Sequence, residues 1–317
     1  MTPNHPVKKS LLILALWLSL PPLAPAQELQ EQVEVQLVQV DVVATDKKGI
    51  LVNDLKAEDF VLKENGKEQA ISHFYNSAND EMRYPLAMTF LVDTSGSMKE
   101  TVTGKTRIDI AVDAADQIMN QLNETDQIEL IDFNDKPEIL AESSSDLESV
   151  WSKFDNLKPQ EKSTSMYDSV LFALDRLKDR SGRKILVIFS DGMDTSSKDV
   201  EEDVIDALHT SDTTVIAFYS EFASFGFGGP TGRTGNVQVA AGEDILRNFA
   251  DISGGAFFSF HREAELVKAL EDFRAYVKSQ YTLAYKPPAG KAGWRKIKLE
   301  CKRKDVKLKY REGYTAG

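Results

Sequence analysis

Between Pro85 and Gln280 the chain alternates two hydrophobic periods, and few folds accommodate that alternation. Leu86 to Val92, Gln127 to Phe133, Lys184 to Ser190, Thr213 to Tyr219 and Ala256 to Phe260 are short, strongly apolar runs. Between them, apolar residues recur at helical spacing. Ile108, Ala111, Val112, Ala115, Ile118, Met119 and Leu122 form one stripe; Met166, Val170, Ala173, Leu174 and Leu177 form a second; Val200, Val204, Ile205 and Leu208 form a third. Ile245, Phe249 and Ile252 mark a helix that ends at Gly254-Gly255, and Leu266, Leu270, Phe273 and Val277 mark the last one. Fully apolar strands separated by amphipathic helices predict an α/β fold with an open, mostly parallel sheet and helices on both faces.

Both flanks of this Rossmann-like core are β-rich. Val33, Val35 and Leu37 alternate with polar residues, and then Val38, Val40 and Val42 do. That change of phase predicts a bulge or a strand buried on both faces. Asp46-Lys47-Lys48-Gly49 is a turn. Phe60-Val61-Leu62 and Ile71-Ser72-His73-Phe74 flank Asn65-Gly66, a strong hairpin signal. After Gln280, Tyr281 to Tyr285, Trp294 to Cys301 and Val306 to Tyr310 read as strands, with Lys302 to Asp305 as a turn. The expected organisation is a small antiparallel β-sandwich formed by residues 27–80 and 281–317, with the α/β domain, residues 81–280, inserted into it. Residues 286–317 hold eleven Lys or Arg against three Asp or Glu. They are expected to form a lysine-guarded, exposed sheet face.

Residues 1–26 read as a secretory signal. Lys8 and Lys9 precede the apolar run Leu11 to Leu20, and Ala24-Pro25-Ala26 offers small residues for cleavage. Export to the periplasm, envelope or exterior is therefore expected, with no transmembrane span in the mature chain. The formal net charge of −12 argues against nucleic-acid binding, which needs a basic face. A single cysteine, Cys301, rules out an intrachain disulfide, and its alternating surroundings predict a buried strand position.

The chemistry is concentrated in Leu91-Val92-Asp93-Thr94-Ser95-Gly96-Ser97-Met98. This stretch leaves a buried strand and precedes a helix, which places it in the crevice at the carboxyl ends of the strands. Asp93, Ser95 and Ser97 offer one carboxylate and two hydroxyls, hard oxygen donors of low total charge that suit Mg²⁺ or Mn²⁺. Ile188-Phe189-Ser190-Asp191-Gly192 leaves another buried strand in the same way, so Asp191 is expected near Asp93. Two close carboxylates repel unless a cation or a proton neutralises one. Thr164, in the polar run Lys162-Ser163-Thr164-Ser165, is a further hydroxyl donor or an N-cap.

In this order and on these elements, the motifs resemble the von Willebrand factor type A domain and its metal-ion-dependent adhesion site. The resemblance covers roughly residues 85–280. It implies that Asp93, Ser95, Ser97, Thr164 and Asp191 are the metal site, and that a protein partner supplies a Glu or Asp to an open position on the ion. Val40-Asp41-Val42-Val43-Ala44-Thr45-Asp46, Ala57-Glu58-Asp59-Phe60, Ser279-Gln280-Tyr281-Thr282-Leu283 and Trp294-Arg295-Lys296-Ile297 are similar to an exported bacterial family of "VWFA-related" domains of acidobacterial type. Many relatives carry two glycines where this chain has Lys162-Ser163, which puts a positive charge close to the expected cation.

Residues 222–242 interrupt the α/β rhythm and contain six of the 18 glycines. Read as a long loop bordering the site, they offer Phe222, Phe225 and Phe227 as apolar partner contacts, with a mobile insertion as the plainer alternative. The rival function classes are a Mg²⁺-dependent hydrolase and a structural envelope protein with an empty site. None of the four histidines falls in the crevice motifs, and the chain has no P-loop, G-x-G-x-x-G or G-x-S-x-G, so a non-enzymatic module is expected.

Overall fold

A strand buried on both faces joins the two halves of this molecule. The computed structural model describes residues 37–78, 84–102, 104–220, 235–260 and 263–316, and all of them fall in one compact unit. Residues 1–26, expected to be a secretory signal, and Phe222, Phe225 and Phe227 lie outside the described residues. The joining strand is β1 (Val38–Thr45), whose residues 40–44 are all buried. Val40, Val42 and Ala44 point into one hydrophobic cluster and Val43 into another. β1 itself is buried on both faces; Val33 and Val35, on which the change of phase rests, lie outside the described residues.

The strands before Pro85 continue as β2 (Phe60–Glu64), β3 (Lys67–Gln69) and β4 (Ile71–Asn76). The α/β region runs β5 (Leu86–Asp93), the ribbon β6 (Thr101–Val102) and β7 (Lys105–Thr106), α1 (Arg107–Met119), β8 (Gln127–Phe133), β9 (Pro137–Ser144), α2 (Leu147–Phe154), α3 (Met166–Lys178), β10 (Arg183–Ser190), α4 (Glu201–Thr210), β11 (Thr214–Ser220), α5 (Gly235–Ile252), β12 (Ala256–Phe260) and α6 (Glu263–Lys278). The chain closes with β13 (Gln280–Tyr285), β14 (Gly293–Cys301), β15 (Lys307–Tyr310) and β16 (Gly313–Ala316).

The central sheet has the order β12-β11-β10-β5-β8-β9 and is parallel except at β9. Alternate side chains of its inner strands feed two cores. Met88, Phe90, Val92 and Ile185 pack under α1, α2 and α6; Ala87, Leu91, Leu186 and Ile188 pack under α3, α4 and α5. The chain passes from β5 through α1 to β8 on one side, and then returns through α3 to β10 on the other side of β5. The winding therefore reverses between β5 and β10, the position at which open α/β sheets form a binding crevice at their carboxyl ends.

Two antiparallel four-stranded sheets, β15-β1-β13-β4 and β16-β14-β2-β3, mix strands from both ends of the chain. Their shared core includes Phe60, Leu62, Tyr281, Leu283, Tyr285 and Ile297. Several local expectations need correction. Asn65 and Gly66 do make the turn, both at positive φ, but the hairpin partner of β2 is the short β3 rather than Ile71 to Phe74. Ile71 to Asn76 crosses to the other sheet, where β4 pairs with β13. Likewise the turn after Cys301 joins two sheets, since β14 pairs with β2 and β16 while β15 pairs with β1. Cys301 is half-buried rather than buried. The basic tail does not only face solvent. Lys309 pairs with Asp251 at 2.8 Å, and buried Arg311 donates to the carbonyl of His209 at the end of α4.

The short β3, the ribbon β6–β7, and β9, α2 and β16 were not anticipated. β9 begins at a proline and is only half-buried, as befits an edge strand. α2 spans eight residues and depends on the Asp146 side chain capping the Ser149 amide at 3.1 Å. In the segment read as a loop over residues 222–242, residues 235–242 instead open α5.

Candidate metal and partner site

β5 ends at Asp93, and its neighbour β10 ends at Ser190, because Val92 pairs with Phe189 across the parallel ladder. The register sets Ser190 beside Asp93, and the Ser190 hydroxyl donates to Asp93 Oδ2 at 2.8 Å. Asp93 Oδ1 accepts the backbone N–H of Ser95 at 2.8 Å, which curls the chain back on itself. The curl brings the Ser95 and Ser97 hydroxyls to 3.3 Å of each other, on a short 3₁₀ turn over Gly96–Lys99. Three of the residues singled out in the sequence are thereby brought together. Asp93 is fully buried, and burial together with the charge of Asp191 pushes its carboxyl up to about 7.

Asp191 follows Ser190, and its Oδ1 accepts the backbone N–H of Met193 at 3.2 Å. Thr164 is held against the same loop through its backbone. Its N–H donates to the Thr195 hydroxyl at 2.9 Å, and its carbonyl accepts from the backbone of Thr195 and Ser196. Thr164 is buried and is not the cap of α3; Ser165 holds the N-cap position. Below the crevice, the Thr94 carbonyl accepts the Gln160 N–H at 2.7 Å, and the Ser165 N–H donates to the Asn134 carbonyl at 2.6 Å. The loops after β5, β8 and β10 and the segment before α3 are thus sewn into one surface.

Two cations behave differently from the sequence expectation. Lys162 does not bear on the carboxylates: its Nζ lies 3.3 Å from both Asn134 Oδ1 and Asp135 Oδ1, at the turn after β8. The cation in contact with the site is Arg107, which the sequence reading passed over. Its Nη1 donates to Asp191 Oδ2 at 3.0 Å and its Nη2 pairs with Glu100 at 2.8 Å. A signal was available, because Arg107 is the first residue of a helix, where the dipole favours anions. Ser190 was also missed as a partner of Asp93, though it sits in the same strand-end run as Asp191.

The donor set fits a hard divalent cation. It consists of a buried carboxylate that is reluctant to ionise, a second carboxylate that repels it, and two adjacent hydroxyls at a sheet switch point. Among the described residues no cluster of three or more His, Cys, Asp or Glu side chains could hold a metal. Any ion here would rely on the hydroxyls.

Residues 88–193 match the sequence model of the von Willebrand factor type A domain. No curated protein matches the chain. Solved structures with a similar arrangement include BatB from Bacteroides thetaiotaomicron (14% identity, 61% of this chain, 100% of that one, TM-score 0.48). Another is the PilB minor pilin from Streptococcus sanguinis (15% identity, 63% of each chain, TM-score 0.47). A third is proximal thread matrix protein 1 from the mussel byssus, described with zinc in its MIDAS motif (15% identity, 65% of this chain, 48% of that one, TM-score 0.49). The part of the chain that matches the von Willebrand factor type A domain model, residues 88–193, includes Asp93, Ser95, Ser97, Thr164 and Asp191.

Proposed function

We propose that this chain is an exported, non-enzymatic module that captures a protein partner through a divalent cation, Mg²⁺ or Mn²⁺, at the β5–β10 crevice. Asp93, Ser95 and Ser97 would hold the ion, with Thr164 and Asp191 beside them. The observation that carries this reading is the fully buried Asp93, its carboxyl raised by burial and by the charge of Asp191, next to two hydroxyls 3.3 Å apart, an arrangement that a cation relieves. When bound, the ion supplies residual positive charge that attracts an external carboxylate, because so few of its ligands are charged. The protein's own part is to keep the donors converged and partly shielded from water. Ser190 and the Ser95 amide orient Asp93, and the Thr195 and Ser196 amides fix Thr164. The described histidines do not enter the crevice: His73 contacts Ser72 and His209 packs against Trp294.

Retention of an envelope protein on the immobilised chain tests the reading. Retention that is lost with EDTA and with Asp93→Ala is expected. Equal retention by wild type and Asp93→Ala, with and without EDTA, would overturn it.

A further inference from the structure

Arg107 is misplaced by ordinary helix electrostatics. A guanidinium in the first turn of α1 faces the positive end of the helix dipole, and its side chain is only 4% exposed. Burial of a cation there is costly unless close partners compensate it. The partners come from two different loops. Nη1 holds Asp191 Oδ2 at 3.0 Å, in the loop after β10, and Nη2 holds Glu100 Oε2 at 2.8 Å, at the end of the turn that carries Ser97. The backbone adds to this bridge, since the Arg107 N–H donates to the Glu100 carbonyl and the Glu100 N–H donates to the Ser97 carbonyl. Arg107 therefore bridges the loop after β5 and the loop after β10, in contact with Asp191.

We propose that Arg107 is the resident counter-cation of this site. It neutralises Asp191 and keeps the two loops assembled while no divalent ion is bound, and it competes with the ion for that carboxylate. This inference rests on the metal-site reading above. It makes the crevice preassembled but weakly metal-binding. It also leaves more positive charge on a bound ion for an incoming carboxylate, because one of the two acidic groups is already spoken for.

Mn²⁺ binding to the full chain, followed by equilibrium dialysis and by the metal-induced rise in Tm, tests it. Arg107→Gln should bind Mn²⁺ about tenfold tighter, in keeping with the effect of one adjacent unit charge on a carboxylate. Its metal-free Tm should fall while its metal-induced rise grows. Arg107→Lys, which keeps the charge but not the fork, should bind within about twofold of wild type. Glu100 is exposed, so Glu100→Gln should fold. It frees Arg107 to hold Asp191 alone, and Mn²⁺ binding should weaken severalfold. If wild type binds Mn²⁺ and Asp93→Ala does not, yet neither Arg107→Gln nor Glu100→Gln changes the affinity, the counter-cation role is overturned and the metal site stands. If neither wild type nor Arg107→Gln binds more Mn²⁺ than Asp93→Ala, both readings fall together.

Discussion

Glu64 in the sandwich and Asp93 at the sheet edge are both buried carboxylates, and the protein treats them in opposite ways. Glu64 accepts the Tyr285 hydroxyl at 2.7 Å and the Tyr314 hydroxyl at 3.0 Å on one oxygen, and Arg295 at 3.1 Å on the other. Every partner donates to it, and the group joins β2, β13, β14 and β16. Asp93 accepts a serine hydroxyl and an amide, and the charge that acts on it is that of another carboxylate, Asp191. A satisfied buried charge is a fastener, whereas a frustrated one at a crevice marks a place where something else binds.

The largest effect expected from this contrast is on stability. Glu64→Ala leaves the Arg295 guanidinium without its carboxylate, with the Pro288 carbonyl still accepting from it, and removes the acceptor of two tyrosine hydroxyls in the sandwich; it should cost about 3–5 kcal/mol in denaturant unfolding. In metal-free buffer, Asp93→Ala removes a charge that burial already disfavours, and should change stability by no more than about 1 kcal/mol. Comparable losses in the two variants would break the comparison. Val43 sharpens it from another side. Although it lies in a sandwich strand, it packs into the α1–α6 core of the α/β region. Val43→Ala should cost about 1.5–3 kcal/mol, and by weakening the seam it should separate the unfolding of the two regions. A single unshifted transition would show that β1 does not couple them.

How far the sequence disclosed these two regions differs for a physical reason. The parallel strands were legible because burial on both faces leaves uninterrupted apolar runs, as in Lys184 to Ser190, and the amphipathic helices between them repeat cleanly. Strand pairing in the sandwich was not legible. Asn65-Gly66 announces a turn without saying that Gln69 ends the partner strand, and nothing local says that Ile71 belongs to the other sheet. The edge strand β9 was hidden by its proline and its mixed exposure. At the crevice, Asp93, Ser95, Ser97 and Asp191 could be named because strand ends converge by topology alone. Arg107 could not be paired with Asp191 by spacing, since 84 residues separate them. Glu64 raised no flag at all, because its partners are scattered across three other strands.

Thr164 tests the division of labour inside the site. Its backbone is bonded to Thr195 and Ser196, so Thr164→Ala should leave metal-free stability within about 0.5 kcal/mol of wild type. The metal-induced rise in Tm should nevertheless shrink. A large loss of metal-free stability with an unchanged metal response would make Thr164 a structural residue only.

The smallest expected effect belongs to Lys162, and it separates contact from mere charge. Lys162 and Arg107 both bring a positive charge to the loops around the crevice. Arg107 is buried on Asp191, whereas Lys162 is 39% exposed and paired with the exposed Asp135. An exposed charge acts through water and salt, with a screening length of about 8 Å at physiological ionic strength, and its own ion pair contributes about 0–1 kcal/mol. Lys162→Ala should therefore shift Mn²⁺ affinity less than twofold and leave Tm nearly unchanged. If it instead tightens Mn²⁺ binding as much as Arg107→Gln, then the field of the whole loop cluster, and not the contact with Asp191, sets the affinity of the site. The contrast between a fastened and a frustrated carboxylate would then have to be redrawn at that larger scale.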